Sequence, residues 1–238
     1  MSILDSKEAF FYRYQPENDP ETKDLSTIPE EVKSYIRGEN YIWDATSHLP
    51  GFKHDVIAYW QACLQLARRL IRIFALVLEL PEDYFDTATT YPGADAVLNF
   101  YPGTVQEPTQ SSANAGIGSH TDLQCFTLLW QDMIGGLQVL TNEGQWIRAA
   151  PIPGTIVVNI ADFLTRLSND RFKSTVHRVS NQSTEDRISM PFFFGFNPNE
   201  TLSVVPTCID EHNPPKYEPI SCGEVCILES NKIFSMLT

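Results

Sequence analysis

The clearest periodic pattern in the chain is an amphipathic stretch at residues 53–79. Its apolar residues recur at intervals of three and four, which places them on one face of a helix. They are Val56, Trp60, Cys63, Leu64, Ala67, Leu70, Ile71, Phe74 and Leu78. Asp55 suits the first turn of such a helix, and Pro81 is expected to end it. The pattern predicts a long scaffold helix that packs on a sheet.

After Tyr91 the pattern changes to short runs rich in β-branched and aromatic residues. Turn signals such as Pro102-Gly103 and Gly135-Gly136 separate these runs. The predicted strands are Ala96–Tyr101, Gln124–Trp130, Leu137–Leu140, Trp146–Ala149, Thr155–Ile160, Ser174–Val179, Ile188–Phe196 and Leu202–Val205. About eight strands at this spacing indicate a β-sandwich or a barrel-like jelly roll.

The first part of the chain has less pattern. Residues 1–50 are polar and rich in turns, with one short helix expected at Pro29–Arg37, where acidic residues follow the proline. We therefore divide the chain into an N-terminal helical and irregular region at 1–90, a β core at 91–225 and a short tail at 226–238.

Composition narrows the classes of function. The chain has 238 residues, 42% of them hydrophobic and 20% charged, which suits one globular domain. A net charge of −13 argues against binding to nucleic acid. No stretch approaches the roughly 18 apolar residues of a membrane span, and the first residues do not resemble a secretory signal. We expect a cytoplasmic protein that binds neither membranes nor nucleic acid.

The five cysteines are odd in number and scattered, which is typical of reduced thiols in a cytosolic protein. Cys222 and Cys226 form a C-x3-C pair, but a zinc site needs two more ligands and only His212 is near. We predict no zinc site there.

The segment His120-Thr121-Asp122 is the first candidate for chemistry. In a strand, residues two apart point the same way, so an imidazole and a carboxylate could reach one ion. His177 lies in another β-rich run and could supply a third ligand. Two histidines and one carboxylate leave open positions and suit non-haem Fe(II) oxygenases. The triplet alone establishes little, because short motifs occur by chance.

Arg187-Ile188-Ser189 adds a second feature, ten residues after His177. Arg187 and Ser189 share one strand face by the same alternation. An arginine fork pairs with a carboxylate through two hydrogen bonds, and the serine adds a hydroxyl donor. The pair could anchor the distal carboxylate of a dicarboxylate whose 2-oxo acid end chelates the iron. Taken alone, a surface arginine beside a strand serine is the alternative.

In this order, the H-x-D triplet, the distal histidine and the R-x-S triplet resemble the Fe(II)/2-oxoglutarate-dependent dioxygenases, in particular the isopenicillin N synthase-like superfamily. The resemblance covers about residues 90–225. The segment at 99–102 is similar to the family's N-Y-Y-P, and the segment at 159–162 to its N-I-G-D. Further matches are Phe126–Leu129, Gly135–Val139 before Trp146, Leu167–Asn169 and Lys173–Val179.

The resemblance implies a mainly β fold with flanking helices, a double-stranded β-helix or jelly roll. It implies Fe(II), 2-oxoglutarate as co-substrate and O2. The implied metal ligands are His120, Asp122 and His177, and the implied 2-oxoglutarate contacts are Arg187, Ser189 and Tyr101. The implied reaction oxidises a small organic molecule by hydroxylation, desaturation or cyclisation, in specialised metabolism, with release of succinate and CO2.

Several neighbouring residues have other expected roles. Phe126 is a candidate to line the substrate pocket, with packing in the core as the alternative. Phe192, Phe194 and Phe196 should face the core, opposite to Arg187 on their strand. Asn159 and Asp162 look like turn residues or partners that orient the metal ligands.

Compared with the family, both ends look short, above all the N-terminal part. A sheet that lacks a strand has an unpaired edge, which invites association. We therefore expect either a truncated product or a homo-oligomer in which a neighbour covers the gap. Two alternatives to the 2-oxoglutarate reaction stay open. One is a non-haem iron oxidase of the same superfamily that does not use 2-oxoglutarate, and the other is a truncated, non-catalytic member.

Overall fold

The computed structural model describes residues 7–21, 24–36, 38, 40–103, 116–181 and 183–225. The helices are α1 (Glu30–Lys33), α2 (Asn40–Ala45), α3 (Phe52–Val77) and α4 (Asp162–Leu167). The strands are β1 (Glu8–Tyr12), β2 (Ala94–Tyr101), β3 (Gly116–His120), β4 (Phe126–Gln131), β5 (Leu137–Leu140), β6 (Trp146–Arg148), β7 (Val157–Ile160), β8 (His177–Ser180), β9 (Arg187–Phe194), β10 (Thr201–Leu202) and β11 (Ile220–Ser221). Short 3-10 turns lie at Pro16–Asn18, Leu25–Thr27, Thr87–Thr89 and Pro206–Cys208.

The long helix α3 confirms the amphipathic pattern at 53–79. Its buried residues are Val56, Trp60, Cys63, Leu64, Ala67, Ile71 and Ala75. The helix ends slightly earlier than expected because Glu79 adopts a left-handed conformation with φ of 61°. The amides of Glu79 and Leu80 donate to the carbonyls of Leu76 and Ala75, each at 3.0 Å, and these bonds close the last turn.

The main sheet has five antiparallel strands in the order β1-β2-β9-β4-β7, and one of its faces packs on α3. Trp60 of α3 is fully buried, and its indole N–H donates to the carbonyl of Ala94 at 2.8 Å. Its ring makes edge contacts with Tyr12 and Phe192. One residue of α3 therefore contacts strands β1, β2 and β9.

The second sheet has four antiparallel strands in the order β3-β8-β5-β6. A cavity lies between the two sheets. Val97 and Leu129 line it from the main sheet, and Val139 and Val179 line it from the second. Two antiparallel sheets that enclose a cavity form the double-stranded β-helix, so the expected mainly β fold with flanking helices is confirmed. Strands β10 and β11 pair separately.

Each of the predicted runs overlaps an observed strand, but some elements were not expected from the pattern. They are β1, β3, β11, α2 and α4. Strand β1 lies in the segment expected to be helical or irregular, and it forms an outer strand of the main sheet. Helix α1 is shorter than the helix predicted at Pro29–Arg37, and Arg37 lies outside the described residues.

The predicted alternation along β9 is confirmed. Arg187 and Ser189 are 0% and 2% exposed, whereas Ile188 between them is 46% exposed. Phe192 and Phe194 belong to the core against α3. The same strand therefore supplies polar side chains to the cavity at one end and aromatic side chains to the core at the other.

Candidate metal centre and its cavity

Three residues distant in the sequence meet in the cavity between the sheets: His120, Asp122 and His177. One ligand atom from each lies within 4.8 Å of the other two. Nε2 of each imidazole is 3.7 Å from Oδ1 of Asp122, and the ring centroids are 4.3 Å apart. Among the described residues, these three side chains form the one group of His, Cys, Asp or Glu that is close enough together to bind a single metal ion.

The ends of two paired strands bring the histidines together. His120 is the last residue of β3, His177 is the first of β8, and the two are opposite partners in the register. Asp122 lies in the loop after β3, so strand alternation is the wrong reason for its proximity to His120. The Asp162 amide at the start of α4 donates to the Asp122 carbonyl at 2.9 Å and holds this loop in place.

Backbone carbonyls fix the orientation of both imidazoles. Nδ1 of His120 is 2.8 Å from the carbonyl of Gly118, and Nδ1 of His177 is 3.0 Å from the carbonyl of Thr175. A carbonyl can only accept, so each Nδ1 carries the proton and donates it. In a neutral ring this leaves the Nε2 lone pair free, and a metal ligand needs that lone pair.

The Asp122 carboxylate is oriented by two donors that contact the same oxygen. Its Oδ2 accepts from the Thr127 hydroxyl at 2.6 Å and from the Asn159 amide at 2.8 Å. The other oxygen, Oδ1, therefore faces the two imidazoles. Asn159 lies on β7 rather than in a turn, and Thr127 had no signal in the sequence because the contact depends on how β4 is positioned.

Burial favours the uncharged form of the His120 ring. Removal from water lowers the pKa of His120, and the neighbouring His177 ring lowers it further. The hydrogen bond to the Gly118 carbonyl raises the pKa, but the net effect is a lower pKa. A neutral imidazole is the protonation state that binds metals. Two imidazoles and one carboxylate therefore offer the donor set that suits non-haem Fe(II).

Arg187 is the second unusual group in the cavity, because it is a fully buried cation. Its Nε donates to the carbonyl of Gly135, and its Nη1 donates to the Ser189 hydroxyl at 3.0 Å. Its Nη2 donates to Oε1 of Gln131 at 3.2 Å, and the guanidinium lies 4.9 Å from the centroid of the Tyr101 ring.

None of the described carboxylates forms an ion pair with Arg187. Burial lowers the pKa of Arg187, since removal from water penalises its charge. Tyr101 and the Asp132 carboxylate act in the opposite direction, but no described carboxylate is close enough to form an ion pair, and a buried charge without such a pair costs free energy. The guanidinium with the Ser189 hydroxyl thus forms a place suited to an anion, and a carboxylate matches both donors.

The cavity that joins these groups has a volume of about 200 Å³. It contains all six residues expected at the metal and 2-oxoglutarate positions, and the remaining walls are mainly apolar. The apolar residues are Phe11, Val97, Ile117, Leu129, Leu137, Val139, Val157, Val179, Pro191 and Phe193. The structure thus places the metal cluster and the buried arginine in one cavity with mainly apolar walls.

Asn99 also lines this cavity, although no role was predicted for it beyond its place in the motif. It is 4% exposed, and its Oδ1 has no hydrogen-bond partner within the described ranges. Ser189 is its partner across the strand pair. A buried amide with an unused polar atom beside the arginine is available to a polar ligand.

The expectation that Phe126 lines the substrate pocket is wrong. Phe126 is fully buried on the opposite face of β4, where its ring contacts Phe74 and Phe194 in the core. Thr127 and Leu129, one and three residues further along, are the residues of β4 that face the cavity. Strand alternation therefore assigns Phe126 to packing.

Of the C-x3-C pair, Cys222 is buried and Cys226 lies outside the described residues. No helix in the described part of the chain has both the length and the apolar character that a membrane span requires.

Comparison with known proteins gives the same indication as the geometry. The sequence model of the 2OG-Fe(II) oxygenase superfamily matches residues 93–196. That range includes all three residues of the metal cluster, together with Arg187, Ser189 and Tyr101.

Curated relatives share the likeness over most of this chain. The 2-oxoglutarate-Fe(II) type oxidoreductase ppzC of Metarhizium majus is 46% identical over 223 residues, which cover 92% of this chain and 60% of ppzC. The 2-oxoglutarate-Fe(II) type oxidoreductase hxnY of Emericella nidulans is 38% identical over 216 residues, covering 87% of this chain and 62% of hxnY. This chain thus spans about three fifths of the length of these relatives.

Solved structures share the fold. A full-length Neurospora crassa protein in complex with alpha-KG superposes with a TM-score of 0.75 at 30% identity, over 94% of this chain and 66% of the Neurospora protein. A 2OG-Fe(II) oxygenase family protein from Caulobacter crescentus gives a TM-score of 0.79 at 29% identity, over 95% of this chain and 70% of that protein.

Proposed function

The chain belongs to the 2OG-Fe(II) oxygenase superfamily, and we propose that it uses Fe(II) and 2-oxoglutarate to oxidise a small organic molecule with O2. The observation that carries the proposal is the cluster of His120, Asp122 and His177, whose ligand atoms lie within 4.8 Å of one another. In the balanced hydroxylation, one oxygen atom of O2 enters succinate, the other enters the product, and 2-oxoglutarate loses CO2.

We assign the iron to Nε2 of both histidines and to the Asp122 carboxylate. The donor set fits Fe(II), because two neutral imidazoles and one carboxylate leave positions open for further ligands. When bound, the iron supplies the redox chemistry that couples oxidation of 2-oxoglutarate to that of the substrate. The protein contributes the orientation, through carbonyls that hold both rings and donors that hold Asp122.

We assign the distal carboxylate of 2-oxoglutarate to Arg187 and Ser189, with Tyr101 alongside. Support comes from the absence of any ion-pair partner for Arg187 among the described residues, since a ligand carboxylate would form the direct ion pair that they do not provide. The Asn99 amide lies beside Ser189 and can turn its NH2 group toward the same ligand.

Exclusion of water is the third contribution of the chain. The apolar residues of both sheets surround the space between Arg187 and the metal cluster. Such walls strengthen the electrostatic interactions inside and protect reactive species from water. A small organic substrate is consistent with this setting, as the same Neurospora crassa protein has been crystallised with alpha-KG and thymine. Specialised metabolism, a cytoplasmic location and a homo-oligomeric state stay predictions.

Anaerobic addition of Fe(II) and 2-oxoglutarate tests the assignment. We expect a visible metal-to-ligand charge-transfer band in the wild-type protein. His177→Ala should lose the band, and Arg187→Ala should require far more 2-oxoglutarate to develop it. The exposed residues His54 and Arg148 provide matched controls, since His54→Ala and Arg148→Ala remove the same side chains outside the cavity. Absence of the band, or a band whose 2-oxoglutarate dependence Arg187→Ala leaves unchanged, contradicts the proposal.

A further inference from the structure

A second cavity, of about 420 Å³, is lined by residues that neighbour those of the metal cavity along two strands, and we name it the outer chamber. Asp95 of β2 lines the outer chamber, while Val97, two residues on, lines the metal cavity. At the end of β9, Gly195 lines the outer chamber, while Phe193, two residues before it, lines the metal cavity. Residues two apart on a strand face the same side and are roughly 7 Å apart. The outer chamber is thus the continuation of the metal cavity along the same sheet face.

The two volumes suggest different occupants. The metal cavity of about 200 Å³ would be largely filled by the metal and 2-oxoglutarate. Sites for small molecules measure roughly 300–1,000 Å³. The outer chamber falls in that range, so it can hold a second molecule beside the metal cluster.

Gln124 gives the outer chamber a specific polar group. It follows Asp122 by two residues and lines the chamber, and its buried Oε1 has no hydrogen-bond partner in the described chain. A Cβ at Gly93 would lie 2.8 Å from the Gln124 amide, and one at Gly195 would lie 3.0 Å from it. The two glycines thus leave room for the amide between them, and its oxygen is available as an acceptor.

The charged residues of the chamber favour a neutral ligand. Arg13 and Asp95 are the charged side chains among the described lining residues. One positive and one negative charge give the wall no net charge. The other lining residues are mostly aromatic or apolar, for example Tyr35, Ile36, Phe163 and Phe196.

We propose that the outer chamber binds the substrate, and that the substrate is a neutral, mainly apolar molecule with an N–H or O–H group that donates to Oε1 of Gln124. The identification of this ligand as the substrate rests on the proposed function. Gln124 lines the chamber and follows Asp122 by two residues, so one loop contributes to both the chamber and the metal cluster.

Binding of chosen probes to the full chain tests the proposal. The neutral probes are thymine, indole and benzamide, and the charged probes are benzoate and benzylamine. Saturation-transfer NMR without oxygen and with 2-oxoglutarate present reports binding without any turnover. We expect at least one neutral probe to bind. Gln124→Met, which removes the acceptor at similar size, should weaken its binding about tenfold, as expected for one lost hydrogen bond.

Two further variants separate binding in the chamber from other effects. Ile36→Trp replaces a lining residue of the chamber with a larger side chain and should abolish binding of the neutral probe. Gln65→Met changes an exposed glutamine of α3 and should leave it unchanged. The proposal is overturned if no neutral probe binds or if a charged probe binds more tightly. It is also overturned if Gln124→Met and Ile36→Trp bind the neutral probe as tightly as the wild-type protein does.

The charge-transfer band on the same samples keeps the two proposals distinguishable. If the wild-type protein lacks the band but binds a neutral probe through Gln124, the proposed function fails and the chamber is a ligand site of another kind. If the band forms in wild type and in Gln124→Met but no neutral probe binds, the outer-chamber proposal fails and the proposed function stands. The band also shows that Gln124→Met is folded.

Discussion

At the scale of single residues, the metal centre depends on which oxygen of Asp122 is left for an ion. Oδ2 accepts hydrogen bonds from Thr127 and Asn159, while Oδ1 faces both imidazoles. Partners that orient metal ligands commonly contribute 10–100-fold in metal affinity. Thr127 and Asn159 therefore act as positioning residues, because they act through the carboxylate and not on the metal.

Removal of either donor should weaken metal binding. We expect Asn159→Ala and Thr127→Val to lower the affinity for Co(II), used as a spectroscopic substitute for Fe(II), by about tenfold or more. Thr127→Ser retains the hydroxyl and should restore most of the affinity. Titration of the metal-free protein followed by the visible Co(II) spectrum measures both affinity and ligand geometry. Asn142→Ala, in the exposed turn between β5 and β6, is the control. Unchanged affinity in both donor variants would contradict the positioning role.

The sequence indicates which residues are the candidate ligands, but it does not indicate which residues hold them in place by hydrogen bonds. His120, Asp122, His177 and Arg187 were predictable because their motifs occur together, in the order that resembles the family. Thr127 was not predictable, because its contact depends on the loop between β3 and β4. Gln131 and the Gly135 carbonyl contact Arg187 only because the fold brings these segments together. Hydrogen bonds between distant segments leave no periodic pattern.

At the scale of elements, α3 is the support of the main sheet. Trp60 contacts Tyr12 and Phe192 and donates a hydrogen bond to the Ala94 carbonyl, so it joins the helix to three strands. Strands β2 and β9 also carry Tyr101, Arg187 and Ser189. The packing of α3 thus positions the face of the sheet that forms the cavity.

Truncation of this contact should destabilise the whole domain. We expect Trp60→Ala to cost about 3–5 kcal/mol in the free energy of unfolding, because it opens a cavity in the core. Trp60→Phe should cost less, mainly through the lost hydrogen bond to Ala94. Urea unfolding followed by circular dichroism measures both changes. Leu76→Ala, at an exposed position of α3, should change stability by about 0.5 kcal/mol at most. A cost for Trp60→Ala close to that control would contradict this role.

Elements with strong periodicity were predictable, and those fixed by tertiary contacts were not. Helix α3 shows its buried face directly in the sequence. Strand β3 was missed because its sequence Gly-Ile-Gly-Ser-His has two glycines and a single β-branched residue. Gly116 is needed there since a Cβ would lie 2.1 Å from the Val179 carbonyl of β8. Pairing with β8 therefore determines this strand more than its own propensity does.

At the scale of the whole molecule, the metal cluster lies where the two sheets meet. His120 and His177 belong to strands of the second sheet, and Asp122 lies in the loop that leads into β4 of the main sheet. An ion held by all three side chains would therefore link the two layers of the fold.

Metal binding should for this reason stabilise the folded domain as a unit. An ion that binds the folded state alone adds about 2.7 kcal/mol when its concentration is 100 times the dissociation constant. For a domain of this size we expect Co(II) to raise the Tm by roughly 5–10 °C. EDTA should reverse the increase. His177→Ala and Asp122→Asn should abolish it, whereas His54→Ala removes an exposed histidine and should retain it. Thermal unfolding with and without the metal measures the shift, and an equal increase in Tm for His177→Ala would show that the ion stabilises the protein from another site.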